Sequence, residues 1–548
     1  MTNGFEFWDY FVFIAYAILI LGVGLWVSRD KDGHEKNAED YFLASKSLPW
    51  WAIGTSLIAA NISAEQFIGM SGSGFALGLA IASYEWMAAI TLIIVGKYFL
   101  PIFIEKGLYT IPEFVEKRFS TNLKTILAVF WIALYVFVNL ASVLYLGGLA
   151  IETIMGVDMM TAIICLALFA AAYSIYGGLS AVAWTDVIQV VFLVLGGLVT
   201  TYLALNTVSG GEGMIAGFSK VMDAAPDKFH MILDEFNTNG TSNVNYLNLP
   251  GVWVLLGGLW VANFYYWGFN QYIIQRTLAA KSLEESQKGI LLAAGLKIII
   301  PLIVVIPGIA AYVMVNDPEI MAGLGEAGQL SLPSTGQADK AYPWLLQFLP
   351  TGLKGVAFAA LAAAIVSSLA SMLNSTSTIF TMDIYKQYIN KNASSKTTVN
   401  VGRISAAVAL IIAVIMAPLL GGIDQAFQFI QEWTGIVSPG ILAVFMLGLF
   451  WKKTTNNAAI WGALLSIPIA LALKFIPITG LEPWMHQMGL TAVLSMLVIV
   501  VLSHLQNKGA DDAKGINLTN KLFKTSPLFN IGSFIVCILV ATLYCIFW

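Results

Sequence analysis

The sequence predicts an all-α membrane protein with about fourteen membrane-spanning helices, and three observations support this. Hydrophobic residues make up 58% of the 548 residues and charged residues only 11%, whereas soluble domains carry roughly 25% charged residues. Apolar stretches long enough to cross a bilayer as a helix recur along the chain. Polar residues interrupt two of those stretches, which is typical of a transporter binding site.

The apolar stretches are separated mostly by Gly, Pro, Asn and Ser. Numbered as spans 1 to 14 in chain order, they cover roughly residues 8–28, 50–71, 77–103, 124–152, 158–175, 186–206, 250–271, 284–316, 354–385, 401–420, 425–450, 456–475, 484–504 and 528–547. Two polar segments, 207–249 and 317–353, are expected outside the membrane, as surface loops with short helices or as parts of a gate. No connection is long enough for a soluble domain, so residues 1–548 should form one integral membrane unit.

Basic residues fall on alternate connections between the predicted spans. Twenty-two of the 28 Lys and Arg residues, including Lys31 and Lys36, share one side, and five lie on the other. Because cytoplasmic loops carry the excess of basic residues, that side is predicted to be cytoplasmic and both termini to be outside. The first span has no basic residue before it and no small-residue cleavage site, so we expect a retained helix rather than a signal peptide.

Several function classes are not expected from this sequence. It contains no nucleophile–base pair, metal cluster or phosphate loop, and His34 falls in a predicted cytoplasmic loop, so an enzyme is not indicated. No nucleic-acid partner is expected either. The three cysteines, Cys165, Cys537 and Cys545, lie in apolar segments, where we expect them to be buried and free of disulfides.

Polar runs interrupt spans 2 and 7. The first run covers residues 61–66 (Asn-Ile-Ser-Ala-Glu-Gln) and the second covers residues 263–267 (Asn-Phe-Tyr-Tyr-Trp). Five spans separate the two starts, so the second block enters the membrane with the opposite polarity. This arithmetic permits two inverted five-helix repeats, 50–206 and 250–450, each opening with a broken helix as in LeuT-like transporters. Residues 1–49 and 451–548 would add helices at either end.

Polar side chains from five spans are predicted to meet within the membrane. They are Gln66 in span 2, Tyr84 and Glu85 in span 3, Asn263, Tyr266 and Trp267 in span 7, Lys297 in span 8, and Gln428, Gln431 and Glu432 in span 11. Carboxylate, carboxamide and ammonium groups can bond the hydroxyls of a neutral sugar, and an aromatic ring can cover its C–H face. Alternatively, these groups pair among themselves and only hold helices together, as Glu85 and Lys297 would in an empty site.

A second group of polar atoms would suit a small hard cation. Span 9 contains Ser367 and Ser368 at about mid-depth, and a break in span 2 would free backbone carbonyls around Ala59 and Ile62. Hydroxyls and carbonyls together supply about five neutral oxygens, which fits Na⁺ better than a divalent ion. The competing interpretation is that each serine bonds the carbonyl four residues earlier in its own helix.

Four stretches resemble the sodium:solute symporter family. Residues 173–182 read Tyr-Ser-Ile-Tyr-Gly-Gly-Leu-Ser-Ala-Val, and residues 184–189 read Trp-Thr-Asp-Val-Ile-Gln. Residues 260–271 and 275–281 are similar to the sugar-transporting branch of that family, which includes bacterial sodium/galactose symporters. The similarity extends over nearly the whole chain.

The resemblance implies that one neutral hexose, galactose or glucose, moves together with one Na⁺ by alternating access across a bacterial inner membrane. The residues that it implies for the sugar are Gln66, Glu85, Asn263, Lys297 and Gln431 for its hydroxyls, Tyr266 beside Trp267 for stacking, and Met70, Tyr84 and Phe427 for an outer cap. Those that it implies for Na⁺ are the carbonyls of Ala59, Ile62 and Ala364 and the hydroxyls of Ser367 and Ser368, with Asp186 on the ion's way out.

Two positions depart from the family pattern. Galactose-transporting relatives carry a serine where this chain has Ala88, which removes one hydroxyl beside the sugar and about 1 kcal/mol of hydrogen bonding. Members with two sodium sites carry a serine where this chain has Ala370, which favours one Na⁺ per sugar. Another neutral solute such as inositol, or a membrane sensor or channel that binds sugar, are the alternative functions.

Overall fold

The computed structural model describes residues 5–29, 38–108, 110–237, 239–329, 332–421 and 425–548. Helices dominate this part of the chain, and the only strand-like pairing within it consists of isolated bridges, Leu48 with Ala280 and Phe236 with Ser242. The predicted all-α class is therefore confirmed. Lys31, His34 and Lys36 lie outside the described residues.

The helices, in chain order, are α1 Phe7–Ser28, α2 Ala38–Leu43, α3 Trp50–Asn61, α4 Ser71–Leu77, α5 Ser83–Ile94, α6 Leu100–Glu105, α7 Ile111–Arg118, α8 Thr121–Ala133, α9 Ala141–Met155, α10 Met159–Val208, α11 Met214–Ala224, α12 Trp253–Leu256, α13 Gly258–Phe264, α14 Gln271–Leu278, α15 Leu283–Asn316, α16 Pro318–Gln329, α17 Ala341–Leu346, α18 Leu353–Ile379, α19 Ser395–Met416, α20 Ala426–Phe450, α21 Asn456–Phe475, α22 Trp484–Asn507 and α23 Pro527–Ile546. Wider π-helical turns follow several of them, at Glu65–Met70, Val95–Phe99, Leu134–Leu140, Tyr265–Phe269 and Phe380–Ile389.

Within the described residues, eleven helices are long and apolar enough to cross a bilayer, so the chain is a multi-pass membrane protein. They correspond to all the predicted spans except 2, 5 and 7. Span 5 is a shorter apolar helix, Met159–Ala172, and spans 2 and 7 are both broken. The total of fourteen crossings stays a prediction.

The two predicted helix breaks are present. Between α3 and the turn Glu65–Met70 the backbone of Ile62 is extended, with φ −76° and ψ 96°. Between Phe269 and α14 the backbone of Asn270 is extended, with φ −85° and ψ 121°. The Tyr135 hydroxyl supports this second break, since it donates to the Asn270 side chain and accepts from the Gln271 amide at 2.9 Å.

Spans 5 and 6 both belong to α10, which turns sharply at Gly178. Its φ is +66° and ψ is −156°, a conformation that favours glycine. A Cβ atom there would also lie 2.4 Å from the backbone oxygen of Tyr41. The glycine therefore separates the two predicted spans, 158–175 and 186–206, without an intervening loop.

The two long polar segments between spans contain the short helices that were predicted. In segments 207–249 and 317–353 they include α11, α16 and α17.

The three cysteines are unpaired, as predicted, but they are exposed rather than buried, because they lie on the outward faces of membrane helices.

Arg118 joins three parts of the chain at one end of α20. Its side chain is 1% exposed, and its guanidinium donates to the backbone oxygens of Gly448 at 3.0 Å and Thr454 at 2.9 Å. It also pairs with Asp512 at 3.2 Å. The terminal carbonyls of a helix need such donors, and only the forked guanidinium reaches several at once.

We expect Arg118→Lys to lower the free energy of unfolding by about 1–3 kcal/mol, because one ammonium cannot satisfy these separate acceptors. Thermal unfolding of the purified protein in detergent measures the loss. The neighbouring Lys117→Ala is the control, because its pair with Glu113 is exposed and is worth at most about 1 kcal/mol. An unchanged melting temperature for Arg118→Lys would contradict the assigned anchor.

Candidate functional site

The break in span 2 turns backbone and side-chain groups toward the protein interior. In an unbroken helix the Ser63 amide would donate to Ala59, but here it donates to Oε1 of Gln66 at 3.0 Å. The Ser63 hydroxyl donates to the same oxygen at 3.0 Å. The carbonyl side of Gln66 is thus held in place, and its amide nitrogen remains as the group that can donate to a ligand.

A polar cavity with about 40 Å³ of free space lies beside this break. This is below the roughly 300–1,000 Å³ usual for small-molecule sites, so a sugar could enter only if the cavity walls move apart. Its walls come from the two broken spans and from α5, α15 and α20. The lining residues are Asn61, Glu65, Gln66, Tyr84, Glu85, Ala88, Ala262, Asn263, Tyr266, Trp267, Lys297, Phe427 and Gln431. A larger cavity of about 250 Å³ beside α1 is lined by apolar side chains such as Phe13 and Phe358, and it offers little to a hydroxylated ligand.

The ammonium of Lys297 is the central group of the polar cavity. It forms an ion pair with Glu85 Oε2 and donates to Oδ1 of Asn61. It also lies 5.0 Å from the ring centroid of Trp267, within cation–π range. Both charged side chains are at most 3% exposed. The pairing predicted for an empty site is therefore present, and the two groups do not face lipid.

Aromatic side chains close the cavity on two sides. The Tyr266 hydroxyl accepts hydrogen bonds from Asn61 Nδ2 at 3.0 Å and from the Tyr272 hydroxyl at 2.7 Å. On another wall the rings of Tyr84 and Phe427 meet edge to face with centroids 5.0 Å apart. A solute in the cavity would be enclosed between these two sets of rings.

Most of the predicted sugar residues line this cavity, and three do not. Met70 is fully buried and does not line it. Gln428 is buried but also stays outside the cavity wall. Glu432 pairs instead with Lys474 at 2.6 Å, where both side chains are partly exposed. For Glu432 the structural alternative, a helix-to-helix contact, is correct.

Two polar residues of the cavity wall, Asn61 and Glu65, were not among the predicted sugar residues. Both belong to the polar run that marks the break in span 2, and that run was the available signal. Asn61 connects Lys297 to Tyr266. Glu65 is 8% exposed, and its Oε1 has no hydrogen-bond partner among the described residues. It can therefore accept a hydrogen bond from a bound solute.

The predicted ion-binding oxygens lie where α3 meets α18. The break leaves the carbonyls of Ala59 and Ile62 without their helical donors, since the amides of Ser63 and Gln66 bond elsewhere. The Ser368 hydroxyl donates to the backbone oxygen of Ala60 at 3.1 Å, across to the neighbouring helix. The competing interpretation of an intrahelical serine bond is therefore wrong for Ser368.

Asp186 on α10 lies directly beside the same oxygens. Its Oδ1 accepts from the Ser367 hydroxyl at 2.5 Å, so that serine also bonds outside its own helix. Its Oδ2 accepts from the Ser56 hydroxyl at 2.5 Å and from Arg276 Nη2 at 3.2 Å. Arg276 also donates to the Ser371 hydroxyl and the Tyr272 backbone oxygen. The buried guanidinium of Arg276 thus neutralises the carboxylate that lies beside these oxygens.

Comparison with known proteins identifies the family. Residues 41–466 match the sequence profile of the sodium:solute symporter family. A protein named sodium/glucose cotransporter from Vibrio parahaemolyticus is 66% identical over 100% of this chain and 99% of its own length. The chain belongs to the sodium:solute symporter family. The human sodium/myo-inositol cotransporter 2 is a more distant relative of this symporter, 32% identical over 88% of this chain and 72% of its own length.

The solved structure of a Na⁺-coupled sialic acid symporter superposes on this symporter with a TM-score of 0.77. It covers 91% of this chain and 98% of its own, at 23% sequence identity. That likeness concerns the fold, and it confirms the predicted LeuT-like class. As members of a transporter family, neither this symporter nor its relatives are enzymes.

We expect Lys297→Met to lower the free energy of unfolding by about 3–5 kcal/mol, because it leaves the Glu85 carboxylate buried without its partner. The double variant Glu85→Gln/Lys297→Met should recover most of that loss. Thermal unfolding in detergent of the single and double variants measures both effects.

The control is Lys474→Met, which breaks the partly exposed pair with Glu432 and should cost no more than about 1 kcal/mol. If the double variant of Glu85 and Lys297 were as unstable as Lys297→Met, the two groups would not form the coupled pair described above.

Proposed function

We propose that this protein is a Na⁺-coupled symporter of a neutral hexose, galactose or glucose, that works by alternating access. The observation that carries the proposal is a polar cavity with a mutually neutralised Lys297–Glu85 pair, next to a cluster of uncharged oxygens. Family membership and the 66% identical sodium/glucose cotransporter from Vibrio parahaemolyticus support it.

The cavity chemistry suits an uncharged polyol. A charged solute would leave one member of the ion pair uncompensated, whereas hydroxyls can accept from Lys297 and donate to Glu85 without a change in net charge. Gln66, Asn263 and Gln431 add carboxamides, and Tyr266 offers a ring for the C–H face of the pyranose. Tyr84 and Phe427 would cover the sugar from the outside.

The sodium ion would bind among the carbonyls of Ala59, Ile62 and Ala364 and the hydroxyls of Ser367 and Ser368. Both donor helices contribute, so ion binding would tie α3 to α18 and favour one of the two access states. One Na⁺ per sugar is proposed, because Ala370 offers no hydroxyl and Arg276 already occupies the space between Asp186 and Ser371. Asp186 would line the route by which the ion leaves.

Coupling to one Na⁺ supplies enough energy for uptake against a gradient. One charge that crosses 100 mV contributes about 2.3 kcal/mol, and a tenfold Na⁺ gradient adds about 1.4 kcal/mol. Together they would sustain a sugar accumulation on the order of 500-fold. Both termini are proposed to lie outside from the distribution of basic residues, and the similarity to the Vibrio parahaemolyticus cotransporter supports a bacterial inner membrane.

Uptake of labelled galactose and glucose into proteoliposomes, with and without an inward Na⁺ gradient, tests the proposal. We expect accumulation above the outside concentration only with the gradient, and none for the Glu85→Gln/Lys297→Met double variant. Competition by unlabelled inositol identifies an inositol transporter. Sugar binding without accumulation would indicate a sensor or channel and contradict the proposal.

We expect Ser368→Ala to raise the Na⁺ concentration that gives half-maximal uptake by roughly tenfold, because it removes one of five oxygen ligands. Sugar uptake as a function of Na⁺ measures the shift. Thr376→Val on the same helix is the control, because its hydroxyl bonds only the Met372 carbonyl of its own helix among the described residues. An unchanged Na⁺ response in Ser368→Ala would remove this serine from the ion site.

A further inference from the structure

Gln189 is a buried polar side chain to which neither the sequence nor the family comparison assigns a role. It lies on α10, three residues after Asp186, and it is 0% exposed. Both its Oε1 and its Nε2 lack a hydrogen-bond partner among the described residues. Buried carboxamides are nearly always paired, so an unpaired one indicates a missing ligand or ordered water.

The packing of α10 against α18 shows which way Gln189 faces. A Cβ atom on Gly196 would lie 2.4 Å from the Ala360 Cβ, so that face of α10 points at α18. Gln189 precedes Gly196 by seven residues, about two helical turns, and therefore projects on the same face. Its side chain points toward α18, not toward lipid.

The depth of Gln189 follows from a second contact between these helices. The Asp186 carboxylate bonds the Ser367 hydroxyl at 2.5 Å, and the two helices run antiparallel. Gln189 is three residues beyond Asp186, and Ala364 is three residues before Ser367, so each is displaced by about 4.5 Å in the same direction. Gln189 is thus level with Ala364, whose carbonyl belongs to the proposed ion site.

The broken span 2 contacts the same parts of α10 and α18. Ser56 on α3 bonds Asp186 at 2.5 Å, and Ala60, one turn further along α3, accepts from Ser368 at 3.1 Å. Gln189 therefore lies about one helical turn along α10 from Asp186, the residue that joins α10 to both α3 and α18.

We propose that Oε1 of Gln189 is a further ligand of the transported Na⁺, a sixth oxygen beside the five already assigned; this rests on the proposed function. A carboxamide oxygen is a hard, uncharged donor of the type that alkali ions prefer, and it leaves the charge of the site unchanged. It also extends the site to a third helix, so that the ion would connect α10 with α3 and α18.

The test is Gln189→Met, which keeps the length of the side chain and removes both polar atoms. We expect the half-saturating Na⁺ concentration for sugar uptake to rise by about tenfold or more, while uptake at saturating Na⁺ stays near the wild-type rate. The rise in melting temperature that NaCl, compared with choline chloride, produces in the sugar-free protein in detergent should shrink in parallel.

The control is Thr185→Val on the same helix, whose hydroxyl bonds the Ala181 and Val182 carbonyls of its own helix. It should change neither readout. If Gln189→Met fails to fold, Gln189→Asn, which shortens the side chain by one methylene, should still raise the half-saturating Na⁺ concentration.

An unchanged Na⁺ response in a folded Gln189→Met or Gln189→Asn protein would overturn the assignment of Gln189 as a ligand. An equal shift in Thr185→Val would overturn it as well, because the effect would then be general to this part of α10. A wild-type protein without any Na⁺ dependence would instead contradict the proposed function itself.

Discussion

The buried pair of Lys297 and Glu85 is the interaction on which the polar cavity depends. In a protein surrounded by lipid, each of these charges alone would cost at least about 2.5 kcal/mol. Because the two side chains form an ion pair, both can lie in the cavity wall formed by five helical segments. Because Lys297 also donates to Asn61 and faces the Trp267 ring, the position of the ammonium orders the other cavity side chains around it. A neutral solute can exchange hydrogen bonds with this group without unpairing the charges.

The broken helix in span 2 borders both proposed ligand sites. Its side chains, Asn61, Glu65 and Gln66, line the cavity, while its Ala60 carbonyl accepts from Ser368 on α18. The same few residues would therefore contact both the sugar and the sodium ion, and a change in the shape of the break would alter the affinity for each of them. Coupling between two ligands needs no more than such a shared element with different affinities in its two states.

A set of hydrogen bonds that passes through Arg276 and Tyr272 of α14 also joins the two proposed sites. Asp186, beside the ion-site serines, pairs with Arg276, which donates to the Tyr272 backbone oxygen. The Tyr272 hydroxyl donates to Tyr266, which accepts from Asn61, and Asn61 accepts from Lys297. Every link in this set is buried or nearly so, where unpaired polar groups are costly. A rearrangement at one end would thus leave groups unsatisfied along the way, which gives a physical route for coupling the ion to the sugar.

Hydropathy, charge distribution and the two polar runs in the sequence were enough to determine the all-α class, eleven membrane-crossing helices and the two broken helices, because a bilayer leaves few solutions for an apolar chain of this length. They also predicted that Glu85 and Lys297 meet within the membrane. Only the tertiary structure showed which polar groups face one another. In it Glu432 pairs with Lys474, Met70 lies outside the cavity wall, and Asn61 and Glu65 belong to that wall. Periodicity gives the depth and the relative angle of side chains on one helix, but the rotation of that helix against its neighbours is set by packing and by polar partners distant in sequence.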